Sequence, residues 1–369
     1  MRRLVPLAGV AVVLGSVALL AFLFLPTRDA PSRGDEDAAR GAGEREAVPV
    51  IDAAARRLLE RAAAAPRSTS YSGTQYVSAW TSAAVTSQVL HVEHTPADGT
   101  TWRSAGSPTS QRPLVHAAAR SADPSIMGAG AVALMARHYS LVGAGTGQVA
   151  GRDTDVVEAL RPGSAARPVV ARFWLDQETG LVLRREVYDG PGRVVRASAF
   201  VDVVVGGDRP ASQAAGDSGR AWTETLDGAA VQRMRRHGWD CPGRLPGPLP
   251  LVDARRGGEG GQIVHLSYAD GIATISVFQQ RGDLDRDRLD GYRRDTTDGR
   301  VVWVRDEVPR RLVWSAGGTV YTLVADAPER TVDRAVDVLH DGAGGGGGDA
   351  MGRLGRGLDR VASWFNPFE

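Results

Sequence analysis

Four Asp-Gly pairs, at Asp98-Gly99, Asp189-Gly190, Asp270-Gly271 and Asp298-Gly299, each lie beside a segment that reads as a strand. Asp-Gly tolerates the positive φ of tight hairpin turns, whose twist suits antiparallel pairs. The neighbouring segments carry the period of two that a half-buried strand needs. Residues 171–176 set Phe173 and Leu175 against Arg172 and Asp176, and residues 195–205 set Ala197, Ala199, Val201 and Val203 on one face. Antiparallel sheets with a buried face are therefore the architecture this chain is built to form, and helices interrupt them.

Residues 50–65 place Val50, Ala54, Leu58 and Ala62 on one side, with Arg56, Arg57, Glu60 and Arg61 largely outside it, which predicts an amphipathic helix. A second helix is expected over 123–138, with Asp123 as its cap and Pro124 in the first turn. Residues 206–219, rich in Gly, Ser and Asp, read as a linker. The unit beyond it opens with a short helix at 225–236 and continues in strands near 263–268, 272–279, 301–305, 312–314 and 319–325. It closes in a helix at 327–340, where Asp326 and Glu329 form a capping-box pattern and Val332, Ala335, Val336 and Leu339 the apolar stripe.

The compartment is set by residues 4–25, an uncharged apolar run whose length matches a ~30 Å hydrocarbon core at a rise of ~1.5 Å per residue. Arg2 and Arg3 precede it, and Asp29, Asp35, Glu36 and Asp37 follow. The positive-inside rule then leaves the amino terminus in the cytoplasm and the rest outside. Arg28-Asp29-Ala30 is a poor cleavage site, so an uncleaved single-pass anchor is expected rather than a signal peptide. The implied order is anchor 1–26, flexible tether 27–48, first domain 49–206, linker 207–222, second domain 223–340 and a Gly-rich, amphipathic tail 341–369.

Composition narrows the chemistry. With 44 basic and 43 acidic residues the net charge is +1, which gives no footprint for nucleic acid. Every basic residue is Arg; without Lys there is neither a P-loop lysine nor a Schiff base. Cys241 is the single cysteine, so no intramolecular disulfide and no thiolate cluster can form; it is expected to be a small buried residue or to pair between chains. His91 and His94 are three apart in an apparent strand and point to opposite faces, which does not suit a shared metal. Gly143-Ala144-Gly145-Thr146-Gly147 has the glycines of a phosphate loop but no helix after it. The string Asp283, Asp285, Asp287, Asp290 has Arg288 and Arg294 where a calcium loop needs Gly and Glu. No catalytic constellation, metal site or cofactor site is found, and no enzyme is expected.

Several segments, in order, resemble the MucB/RseB sigma-factor regulatory family. In the first unit they are Tyr71-Ser72-Gly73-Thr74, Val149-Ala150-Gly151-Arg152, the run from Phe173-Trp174-Leu175-Asp176 to Leu181-Val182-Leu183-Arg184, and Tyr188-Asp189-Gly190-Pro191-Gly192. In the second they are Gly238-Trp239, Leu245-Pro246, the run from Ser267-Tyr268-Ala269-Asp270-Gly271 to Ser276-Val277-Phe278, and Glu307-Val308-Pro309. The resemblance implies an α+β chain: a LolA-like, unclosed antiparallel half-barrel with helices against its concave side, then a smaller mixed α/β domain. It implies a regulator that binds the extracytoplasmic segment of a single-span anti-sigma factor and shields it from proteolysis in an envelope-stress response, with a lipid-like ligand as signal. Phe173, Leu181 and Leu183 are candidates for that ligand's groove, and ordinary core packing is the competing reading of each. The partner-docking residues are unknown. A lipid or lipoprotein carrier is the alternative function, for which the first domain alone would suffice. The anchor and the tail lie outside the resemblance.

Overall fold

A computed structural model describes residues 48–104, 127–163, 168–206, 222–258, 261–297 and 300–342. The anchor expected at 4–25, nearly all of the tether, the linker through 221 and the tail beyond 342 lie outside these residues. No helix among the described residues is long and apolar enough to cross a membrane.

After the helix α1 (Ala53–Ala64) come strands β1 (Tyr71–Trp80), β2 (Val85–Thr95) and β3 (Gly99–Ser104), then α2 (Ala129–His138). Strands β4 (Ser140–Val149), β5 (Arg152–Leu160), β6 (Val169–Asp176), β7 (Val182–Tyr188) and β8 (Val194–Val205) follow. Every pairing between these strands is antiparallel, and the order β3-β2-β1-β8-β7-β6-β5-β4 leaves β3 and β4 as separate edges, so the sheet does not close. The expected turns at Asp98-Gly99 and Asp189-Gly190 join β2 to β3 and β7 to β8. Gly73 is needed where β1 meets β8 at a bulge, because a Cβ there would lie 2.2 Å from the carbonyl oxygen of Asp202.

Asp52 caps α1, its carboxylate accepting from the Ala54 amide at 2.9 Å. The buried stripe of α1 is Ala55, Leu59, Ala62 and Ala63; of the stripe expected on Val50, Ala54, Leu58 and Ala62, Ala62 is buried and Leu58 half-buried, while Val50 and Ala54 are exposed. The reason is that Val50 precedes the helix: its carbonyl accepts from the Leu141 amide at 3.0 Å, which fixes the entry of the chain along β4. The second helix begins at Ala129 behind Gly128, and the expected start at Asp123-Pro124 lies outside the described residues. Both helices cover one face of the sheet, packing on Val157, Ala159, Ala171, Phe173, Leu175 and Val187. A second cluster on the first sheet gathers Tyr71, Val92, Trp102, Leu181, Leu183 and Phe200 around Ala65.

The second part contains β9 (Trp222–Thr225), α3 (Gly228–Arg236), β10 (Arg244–Leu245), β11 (Leu249–Gly257), β12 (Ile263–Ala269) and β13 (Thr274–Arg281). It continues with β14 (Arg293–Thr297), β15 (Arg300–Arg305), β16 (Arg310–Ala316), β17 (Thr319–Asp326) and α4 (Glu329–Gly342). Its strands run β10-β11-β12-β13-β17-β16-β15-β14, with β9 beside β11, again with antiparallel pairings throughout. The second part spans fewer residues than the first, 222–342 against 48–206, though its sheet has nine strands to the first's eight, and α3 and α4 lie on it rather than crossing between parallel strands. Asp227 caps α3, and the apolar stripe of α4 is the one its sequence gives, with Val332, Ala335, Val336 and Leu339 all buried.

His94 and His265 are built into the sheets. His91 is exposed and His94 is buried, on opposite faces of β2. A carbonyl can only accept, so Nε2 of His94 donates to the Pro66 carbonyl at 2.6 Å and Nδ1 accepts from Thr100 at 2.7 Å. Both nitrogens are thereby committed. His265 on β12 stacks on Phe278 of β13 with ring centroids 4.3 Å apart, and burial, aided by Arg255, pushes its pKa down to about 3. The folded state therefore resists a proton that the unfolded chain accepts below about 6.5, so His265 removes stability as pH falls from there towards 3. At pH 5 the loss is about 2 kcal/mol. Urea unfolding of His265→Phe across pH 7 to 5 is expected to show a flatter profile than wild type by that amount; parallel profiles would refute the assignment.

Candidate functional site at the seam between the sheets

The polar residues that the two sheets share form the most heavily built site among the described residues. On β7 and β8, Arg185 and Arg196 project on the same face as Val187 and Phe173, the face that α1 and α2 cover further along. Arginine at such a position needs a partner, because an unpaired buried charge costs several kcal/mol. Both find Asp326, at the end of β17. Its Oδ2 lies 3.1 Å from Nη1 of Arg185 and its Oδ1 pairs with Nε of Arg196, all three side chains being nearly buried. Arg185 also donates to the carbonyl of Ile272. Burial pushes the Asp326 carboxyl up, but Arg196 and Arg185 outweigh it and hold the group below its ordinary value. Burial lowers Arg196, while Asp326 opposes that shift; an arginine starts far enough above neutral to stay charged.

The β12–β13 turn inserts beside this triad. Asp270 folds the turn by accepting from the amides of Ile272 and Ala273 at 2.8 and 2.7 Å through Oδ1, and its Oδ2 accepts from the hydroxyl of Tyr139 at 2.6 Å. Burial first, and then the Asp270 carboxylate, push the Tyr139 hydroxyl well above its usual pKa, so it stays a proton donor. Gly271 has φ +96°, and a Cβ on it would lie 2.3 Å from the Ala131 carbonyl oxygen and 2.6 Å from Cγ of Met135. Ile272 then joins the core of the first sheet. The expected Asp270-Gly271 hairpin turn thus has a second use, as a plug against α2.

The third contact lies nearer the surface. At the tip of the β1–β2 hairpin, the amide and hydroxyl of Ser82 donate to the Glu329 carboxylate at 2.6 and 2.9 Å, and Thr86 donates to the Asp306 carbonyl at 3.0 Å. Behind the tip is a crevice lined by Trp80, Thr86, Arg196, Asp306 and Arg310. The capping-box pair expected at Asp326 and Glu329 is corrected on this point: both carboxylates reach across to the first sheet, Asp326 to two arginines and Glu329 to Ser82.

Phe173, Leu181 and Leu183 are all buried, and they fall in two clusters: Phe173 under α1 and α2, Leu181 and Leu183 with Tyr71 and Phe200. Cys241 is buried as a free thiol. The glycines at 143–147 lie in edge strand β4, and Asp285 caps a short turn at Arg286–Arg288. Among the described residues no group of three or more His, Cys, Asp or Glu is arranged to hold a metal ion. Sequence reasoning passed over Arg185, Arg196 and Tyr139. The available signal was an arginine inside each of two apolar strands.

Residues 109–218 match the family described as MucB/RseB N-terminal domain. No curated protein matches the chain. Among solved structures, the MucA/MucB complex of Pseudomonas aeruginosa is similar at 23% identity and a TM-score of 0.38, over 77% of this chain and 97% of that one. MucB in complex with MucA(peri) is 24% identical, with a TM-score of 0.38, over 78% and 97%. A LolA superfamily protein from Nitrosomonas europaea is 10% identical, with a TM-score of 0.18, over 74% and 91%.

Proposed function

We propose that this chain, whose residues 109–218 match the MucB/RseB N-terminal domain family, is an extracytoplasmic regulator that binds an anti-sigma factor and tunes an envelope-stress sigma-factor response. The family match is the observation that carries the reading. The seam supports it: two antiparallel sheets held by buried ion pairs offer a partner one continuous body rather than two independent modules. The partner in this proposal is the extracytoplasmic segment of a single-span anti-sigma factor, as the resemblance to the MucB/RseB family implies. The apolar run at 4–25 is the anchor in this proposal, giving a single-pass membrane protein with its folded part outside. Tethering would raise the effective concentration of regulator beside a membrane-bound partner. No catalysis enters the proposal.

A lipid-like signal is the finer part of the reading. Such a ligand would have to open the packed clusters that hold Phe173 or Leu181 and Leu183, so binding and conformational change would be one event. The test is a pull-down of the extracytoplasmic segment of any anti-sigma protein encoded beside this chain, with and without membrane lipid extract. Saturable capture that lipid weakens is the expected result. No capture, with lipid co-purifying in stoichiometric amount, would instead establish the carrier.

A further inference from the structure

The three contacts across the seam differ in a way that assigns them different jobs. The Asp326 pairs with Arg185 and Arg196, and the Tyr139–Asp270 bond, are buried, and Gly271 seats its turn against the backbone of α2. Separating any of them would leave buried charge or polar groups without partners. The hairpin tip is different. Ser82, Ala83, Ala84 and Val85 are exposed, so water can replace the Ser82 bonds to Glu329, and the Thr86 bond to Asp306 is only partly buried. The tip also closes on itself: the Thr81 amide donates to the Ala84 carbonyl at 2.9 Å, and the Ala84 amide donates to the Thr81 hydroxyl at 3.0 Å. It would keep its shape when released.

We propose that the seam is a pivot with a latch. The Asp326 triad and the Gly271 turn are the pivot that stays shut, and the Ser82–Glu329 and Thr86–Asp306 contacts are the latch that opens. Opening uncovers the crevice behind the tip, where Arg310 is buried against Asp306 at 2.9 Å and Glu329 at 3.5 Å. Release of Ser82 frees Glu329 to turn wholly to Arg310, so the latch has two arrangements for one carboxylate. A ligand that takes the Ser82 amide, or a cation that takes Glu329, favours the open one. The inference rests on the seam geometry and not on the identity of the partner.

Hydrogen exchange on the full-length chain tests it, comparing wild type with Glu329→Ala and Ser82→Ala. In Glu329→Ala the Ser82 amide, which donates to Glu329, is expected to exchange about tenfold faster, the change that losing one hydrogen bond to a charged group produces. Amides at 183–188 and 270–276 should keep the wild-type rate in the same sample. Ser82→Ala, which retains the backbone bond, should give a smaller acceleration at the tip alone. An unchanged tip in Glu329→Ala would show that there is no latch. Equal acceleration at the tip and at 270–276 would show that the seam opens as one piece and has no separate pivot.

Discussion

Asp326→Ala is expected to lower the unfolding free energy by about 3–5 kcal/mol, the range found when one member of a buried ion pair is removed. Two nearly buried arginines, Arg185 and Arg196, would be left facing each other without the carboxylate they share. Urea unfolding followed by tryptophan fluorescence would show the loss, and a change under about 1 kcal/mol would mean that the triad contributes little. Removing Arg185, Arg196 and Asp326 together for apolar residues should cost far less than the single change, because no charge is then stranded. The pH dependence has a definite sign. The folded-state carboxyl lies below its ordinary 3.8, so its contribution is complete above that value and is lost only as pH falls below it through the folded value. Mild acid therefore weakens the protein through His265 and leaves the triad intact.

Gly271→Ala should have an effect of similar size by another route. Its φ of +96° disfavours any side chain, and the new Cβ would meet the Ala131 carbonyl oxygen at 2.3 Å. A loss of about 3 kcal/mol is expected, of which about 1–2 is the backbone conformation and the rest displacement of the turn from α2. Gly99→Ala is the control, since Gly99 has φ +82° and nothing within 4 Å of the place where a Cβ would stand. It should lose only the backbone part. Equal losses in the two variants would show that the close approach to α2 has no energetic weight.

The contrast between these glycines illustrates what the sequence can convey. Asp98-Gly99 and Asp270-Gly271 have the same local signal, and both do make hairpin turns. That one of them also fits against α2, 131–135, depends on contacts between residues more than a hundred positions apart, which no local pattern encodes. Strands β6, β12, β13, β16 and β17 and the stripe of α4 were legible, β6 and α4 through their periodicity and β12, β13 and β17, buried at nearly every residue, as short apolar runs beside turn signals. The face expected for β8 on Ala197, Ala199, Val201 and Val203 was legible only in part: Ala197 and Ala199 are buried, Val201 is exposed, and Arg196 and Ser198 on the opposite face are buried too. The seam covers that opposite face at Arg196, which a one-sided pattern cannot anticipate. Strand β11, with Arg255 and Arg256 between apolar neighbours, lacked a clear alternation and was not expected.

The site was harder still. Asp326 and Glu329 have the spacing of a helix cap, a local explanation sufficient in itself, and it concealed their use across the seam. Phe173, Leu181 and Leu183 are apolar residues whose burial fits packing without any ligand. What a lipid-like molecule would do to those clusters is a property of a second conformation, and sequence patterns report on one.

Protection of the anti-sigma segment from proteolysis tests the central claim most directly. The extracytoplasmic segment of any anti-sigma protein encoded beside this chain would be exposed to the protease that makes the first cut, with and without a stoichiometric amount of the purified chain. The account predicts that the chain slows cleavage in a saturable manner and that an excess of unlabelled segment restores the rate. Cleavage at the same rate at every concentration of the chain, with no complex detectable on a sizing column, would contradict it.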